Sequence, residues 1–366
     1  MGHRPELDGV RALAVGAVVA LHYAGELRGV IPGGGLGVNA FFVVSGFLIT
    51  RLLLEEVDRD RKVDLRGFYR RRVARLAPAF AVFLAGVLAL QLLLDLYGDT
   101  TRVVRGSITS AFYVHNWAMA AGHSDPAFGI TWSLAVEEQF YLVWPAIFVV
   151  VHRRHGVLGV ARLSGGLAVF GAVETAVRSL VLGHSTEVLQ LGTDSNGMIG
   201  LMIGCCLAAG ATIAPSPRQD PVLRAAFVPA CAAVGVFVFA YPGSGTLMVR
   251  GGYFVFSLLI ATIVLTLVRG AVRPGLLTWR AVQWVGRASY GIYLFHMPAL
   301  KLGYEVLPDQ PEAARIVALL LTLVASAASL RWVERPLRHR ISAGPRRTAS
   351  SRPSGLRPGA ATHLPA

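Results

Sequence analysis

Ten predominantly apolar runs punctuate this 366-residue chain, each near the ~20 residues that cross a bilayer as a helix. They lie near 10–27, 36–54, 76–97, 131–151, 163–183, 195–214, 225–241, 252–270, 288–307 and 313–333. Backbone in hydrocarbon must satisfy its own hydrogen bonds, so runs of this length and number point to a helical bundle. The expected fold is all-α. It is a polytopic integral membrane bundle of about ten transmembrane helices over residues 1–334, with a basic tail at 335–366. A composition of 54% apolar and only 15% charged residues excludes an ordinary soluble enzyme.

The formal net charge of +14 would suit nucleic acid if it formed a patch, but it sits in short loops between apolar runs. That placement is a topology signal. Residues 51–75 hold nine basic residues, and His152-Arg153-Arg154-His155, Arg218 with Arg224, and Arg269 through Arg287 mark further basic loops. All fall on one side of a ten-span bundle, which puts both termini in the cytoplasm. Residues 28–35, 98–130, 184–194, 242–251 and 308–312 face the other way with fewer basic residues. The first apolar run lacks a small-residue cleavage site and reads as an uncleaved helix.

The first, second and ninth runs are the weakest on hydropathy, because they contain Arg11 and His22, Arg51, and His296 and Lys301. Ionisable groups in hydrocarbon are costly and mark bundle interiors or wet cavities. Arg11 and His22 stand eleven residues apart, about 16 Å of helix and nearly the same face. A cation near the membrane surface thus shares a stripe with a titratable ring deep inside. An imidazole titrates near neutrality and suits proton transfer.

Other features read more plainly. Gly33, Gly34, Gly35 and Gly37 lack the Lys-Ser/Thr ending of a phosphate loop and predict a close turn between the first two spans. Ser45, in VVSGF, is not in a nucleophile elbow. Cys205, Cys206 and Cys231 show neither metal-ligand nor disulfide spacing and read as small packing residues. No metal is expected. Residues 107–119 carry an apolar stripe at Ile108, Ala111 and Phe112, as in a re-entrant or interfacial helix. Trp117, Trp132 and Trp144 read as interface-belt aromatics. Pro298, after His296, is expected to break its helix. The tail has seven arginines, five prolines and no acidic residue, and is expected to be disordered.

Five blocks carry a resemblance. RPELDGVRALAV…LHY, GGLGVNAFFVVSGFLIT, FYRRRVARLAP, ITWSLAVEEQFYLVWP and SYGIYLFHMP, in this order over about residues 4–340, resemble the bacterial membrane-bound acyltransferase-3 family. The resemblance implies transfer of an acetyl or short-chain acyl group from acyl-coenzyme A to a hydroxyl of a sugar, glycan or macrolide-like natural product, in the bacterial cytoplasmic (inner) membrane. It assigns His22 as the essential histidine and Arg11 as its partner. His22 would be a general base taking the hydroxyl proton or a nucleophile carrying the acyl group; the base is favoured because a thioester is already activated. Arg11 would contact coenzyme A phosphates or pair with Asp8, one turn earlier. Arg72 and Arg75 form an R-x-x-R pair on one helix face, suited to gripping phosphate oxygens. Glu137 is expected to orient or charge an imidazole or to bind the acceptor. Tyr141 shares its face, and His296 lines the acceptor path. Some relatives carry a further C-terminal domain, and this chain reads as the stand-alone form, leaning toward a metabolite as acceptor.

Ten spans, intramembrane histidines and broken helices also fit a transporter or exporter of a glycan or metabolite. A transporter needs no coenzyme A, so the arginine grip separates the two readings. A lipid sensor that has lost catalysis would not need both Arg11 and His22.

Overall fold

The computed structural model describes residues 4–24, 30–181, 196–213, 220–242 and 245–337. Among the described residues the fold is helical throughout, with no strand. The helices are α1 (Pro5–Tyr23), α2 (Gly37–Asp60), α3 (Leu65–Leu94), α4 (Thr100–Ala111), α5 (His115–Ala120), α6 (Thr131–Val181), α7 (Asn196–Ile213), α8 (Pro221–Ala240), α9 (Tyr253–Val268), α10 (Arg280–Val306) and α11 (Pro311–Ala328). A 3₁₀ turn, Gly34–Leu36, leads into α2, and π-helical turns precede α9 (Met248–Gly252) and follow α11 (Ser329–Glu334).

Local chemistry sets the ends. Pro5 opens α1, where its missing N–H costs nothing, and Glu6 and Asp8 face the positive end of the helix dipole. Asp64 caps α3 by accepting from the Gly67 N–H at 2.9 Å, and Asp99 caps α4 through Arg102 N–H at 3.1 Å. α6 has 51 residues, roughly 75 Å of helix and far more than one bilayer crossing. It breaks at Gly156, whose φ of 63° and ψ of −163° only glycine adopts without strain. The two runs drawn at 131–151 and 163–183 are therefore the two arms of α6.

α2 is the central post, with Phe42, Val43, Phe47 and Leu53 wholly enclosed. Bare glycines let its neighbours come close: Gly46 lies against the Leu201 carbonyl of α7, and Gly204 of α7 against the Val43 carbonyl. Small residues at such crossings are how helices pack where lipid offers no hydrophobic drive. Gly286 of α10 likewise rests on the Asp8 backbone of α1. The 3₁₀ turn, Gly34 against the Ala17 carbonyl, is the close turn expected between the first two spans.

Large apolar side chains such as Leu92, Leu93, Phe170, Val228 and Val324 point outward, as in a multi-pass membrane protein. Six helical segments among the described residues are long and apolar enough to cross a membrane. The sequence expects ten. The difference has physical causes: α6 holds two of the expected runs, α7 is short, and α1 and α10 carry Asp8 and Arg11, and Arg287 and Lys301.

Several expectations are corrected. Trp144 is no belt residue: it is buried and its indole N–H donates to Thr50 Oγ1 at 2.9 Å. Pro298 sits inside α10 without breaking it. Cys231 is exposed rather than packed. Within 107–119 the expected apolar stripe is present on the outer side, with Ile108, Ala111 and Phe112 exposed, but the segment is split between two short helices whose buried side is polar (Ser107, Ser110, His115, Asn116). In the tail, Arg335–Leu337 continue the last helix; the expectation of disorder concerns residues that otherwise lie outside those described.

Candidate active site

Two cavities lie side by side in the bundle, with Val38, Phe42 and Tyr293 in the walls of both. The first encloses about 920 Å³ of empty space, mouth included, and is strongly charged. Arg11 of α1, Arg72 and Arg75 of α3, and Glu137, Glu138 and Tyr141 of α6 all line it. Five of the residues singled out in the sequence thus meet in one place, although they come from three helices.

The charged groups are organised around α6. Arg72 Nη2 lies 3.5 Å from Glu138 Oε1, and its guanidinium carbon sits 2.9 Å over the centre of the Tyr141 ring. Arg72 Nε is buried and has no hydrogen-bond partner among the described residues, so this donor remains unspent. Glu137 Oε1 accepts from two hydroxyls, Ser45 Oγ and Tyr141 OH, the latter at 2.7 Å. Its carboxylate thus holds Ser45 and Tyr141 in the wall of this cavity. Tyr113 closes part of the wall from the turn between α4 and α5, in a left-handed conformation (φ 54°) unusual for a bulky residue. Burial and the Glu138 charge push its phenol well above the usual range, so it stays protonated.

The second cavity, about 1170 Å³ with its mouth, holds His22. His22 Nδ1 lies 2.8 Å from the Val18 carbonyl. A carbonyl only accepts, so Nδ1 carries the proton and Nε2 is the nitrogen able to take one. Tyr23, the next residue, donates to the His296 carbonyl at 2.8 Å and lies 2.9 Å from Thr322 Oγ1, which pins this end of α1 to α10 and α11. The His22 and His296 rings are 5.0 Å apart. His296 is fully buried, with Nδ1 on the Tyr293 carbonyl at 2.7 Å and Nε2 without a hydrogen-bond partner among the described residues. It stands behind His22 and lines neither cavity. Asp8 lines neither cavity either.

Sequence reasoning set Ser45 aside because it lies outside a nucleophile elbow, gave Glu138 no role of its own beside Glu137, and passed over Tyr293. Tyr293 OH is 2.7 Å from Ser133 Oγ and 3.0 Å from the Ile130 carbonyl, which fixes it in the partition. A lone serine or tyrosine in an apolar run gives no sequence signal. Only the α6 carboxylates, on the facing helix, reveal Ser45. Among the described residues no cluster of His, Cys, Asp or Glu has the arrangement of a metal site.

The bundle thus sets a basic cavity beside one that holds a histidine. The family profile described as an acyltransferase domain matches residues 4–332, and the chain belongs to the acyltransferase-3 family. It is 31% identical, over 91% of its length, to a putative peptidoglycan O-acetyltransferase of Bacillus subtilis (YrhL), of which it covers 55%. It is 32% identical over 91% of its length to the peptidoglycan O-acetyltransferase OatA of Listeria monocytogenes, covering 56% of that protein. For the O-acetyltransferase OatA of Staphylococcus aureus the figures are 30%, 91% and 57%. The chain spans a little over half the length of the curated relatives it matches. No solved structure matches it.

Proposed function

We propose that the chain is a membrane-embedded O-acyltransferase that moves an acetyl or short-chain acyl group from acyl-coenzyme A to a hydroxyl of a glycan or related sugar-bearing acceptor. The observation that carries this reading is the pairing of the two cavities: three arginines converge in one, and His22 stands in the other, across a shared wall. Arg11, Arg72 and Arg75 hold the donor phosphates, with Arg72 Nε as a ready hydrogen-bond donor. The acceptor hydroxyl oxygen attacks the thioester carbonyl carbon while its proton passes to His22 Nε2. The carbon–sulfur bond breaks, an ester forms, and the thiolate takes the proton from the imidazolium and leaves as coenzyme A thiol. Glu137 orders Ser45 and Tyr141 in the donor cavity. The relatives' names, which specify peptidoglycan in two of three cases, favour a glycan over a free metabolite.

In this reading the chain crosses the cytoplasmic membrane ten times, with α6 crossing twice and α1, α7 and α10 crossing despite their charge or shortness. The arginine-rich loops place both termini in the cytoplasm and the donor there. The test uses the full chain in lipid nanodiscs with radiolabelled acetyl-coenzyme A. Saturable donor binding and hydroxyl-dependent release of free coenzyme A are expected. Absence of donor binding, together with solute flux in sealed vesicles, would establish a transporter instead.

A further inference from the structure

We infer that the histidine-side cavity is a binding site for an uncharged carbohydrate, with Trp132 as the face on which a sugar ring stacks and Asn39 as the amide that reads its hydroxyls. The inference rests on the proposed acyl transfer only for the sugar's role as acceptor; the site itself follows from the lining.

The two cavities differ in the ligand chemistry they admit. Three arginines and two glutamates line the first; among the described residues no arginine, lysine, aspartate or glutamate lines the second. A phosphate or carboxylate ligand would meet no cation among these lining residues. What the walls do offer is aromatic surface (Phe42, Trp132, Tyr253, Tyr293), one amide and one imidazole. That mixture fits a molecule with apolar C–H faces and a rim of neutral hydroxyls. An amide both donates and accepts, as each sugar hydroxyl does. Asn39 is nine-tenths buried on α2 and still lines the cavity. Trp132 is half-buried at the start of α6, and Phe42 holds its ring nearly perpendicular at 6.3 Å between centroids. A tryptophan fixed by one neighbour yet reachable from a cavity is a stacking platform.

The position fits as well. Pro32 and Gly35 line the cavity just before α2 begins, and Pro126 and Gly129 just before α6 begins. It therefore opens at the end of α2 opposite Asp60 and the basic start of α3. Among the described residues, a Cβ built on Gly35 or Gly129 meets no atom closer than 3.7 Å, so neither glycine is needed for close packing there. A bulky glycan would enter there and bring one hydroxyl to His22, while the donor's phosphates stay in the arginine cavity and its thioester reaches the wall that the two cavities share.

The test measures binding of the N-acetylglucosamine tetramer, a neutral probe, to the full chain in nanodiscs by titration calorimetry. Wild-type protein is expected to bind it saturably. Trp132→Ala should weaken binding at least about 10-fold and Trp132→Tyr less than about 3-fold, as loss and retention of a stacking face require. Asn39→Ala should weaken it about 5-fold. Glucose 6-phosphate should show no Trp132-dependent binding. Absence of saturable tetramer binding, or equal affinity in wild type, Trp132→Ala and Asn39→Ala, overturns the inference. Trp132-dependent binding without consumption of acetyl-coenzyme A would leave the site standing and remove the acyl transfer instead.

Discussion

The two cavities share three wall residues and almost no chemistry. On one side Arg11, Arg72, Arg75, Glu137 and Glu138 gather charge that hydrocarbon would not tolerate singly. On the other, His22 is the one imidazole in the lining, set among aromatic rings. The difference teaches how a bundle can handle a polyanionic donor and a neutral acceptor at once. In the proposed reading, the charge that would grip phosphate is kept apart from the imidazole that would act as base. Val38, Phe42 and Tyr293 line both cavities and form the wall between them.

The largest effect tests the uncharged side. His22→Ala should lower acyl transfer by about 10²–10⁴-fold, the usual worth of a general base, while donor affinity changes little. Membrane insertion should persist, since His22 is half-buried and the apolar run that carries it is unchanged. Wild-type turnover in this variant would end the division of labour.

Next comes the charged side. Arg75→Ala should raise the donor KM by roughly 10-fold, the loss of one charge-assisted phosphate contact, and leave the acceptor KM in place. Arg72→Ala should do more. Besides its unspent Nε, it removes the ion pair to Glu138 and the cation over Tyr141, leaving a carboxylate in an enclosed cavity. Its variant should therefore lose kcat as well as donor affinity. Equal acceptor and donor KM shifts in Arg75→Ala would show that the cavities are not separate. Glu137→Gln sharpens the same side: it keeps the shape but weakens the acceptor for Ser45 and Tyr141, and a loss of about 10-fold or less in kcat is expected.

The sequence made the division only half visible. Apolar runs located nearly every helix, because bilayer thickness sets their length. The charged cavity was legible because arginines and glutamates are conspicuous in such runs, and Arg11, Arg72, Arg75, Glu137 and Tyr141 do converge. The neutral cavity was not. Trp132, Asn39 and Tyr293 are ordinary residues until the fold sets them around His22. Trp144 was misread for the same reason: hydropathy says how deep a residue lies, not which side of the helix it faces, and Trp144 turns inward to Thr50.

The smallest effect concerns the α4–α5 wall, which lines the charged cavity alone through Tyr113. His115, two residues on, is fully enclosed, with Nδ1 2.8 Å from Thr109 Oγ1 and Nε2 lacking a hydrogen-bond partner among the described residues. Burial pushes it down to about 4 from the usual 6.5. The folded state thus holds this ring neutral, while the unfolded chain takes up a proton as pH falls through 6.5. Its contribution is complete above pH 6.5 and is lost progressively from there toward pH 4, by at most about 1.4 kcal/mol per pH unit. The thermal midpoint of the full chain should fall between pH 7 and pH 5, and His115→Asn, which does not titrate, should show a shallower fall. Because the wall belongs to one cavity, acid should weaken donor binding before it weakens tetramer binding, and His115→Asn should narrow that gap. Parallel loss of both ligands, unchanged in the variant, would mean that the two sides open as one unit.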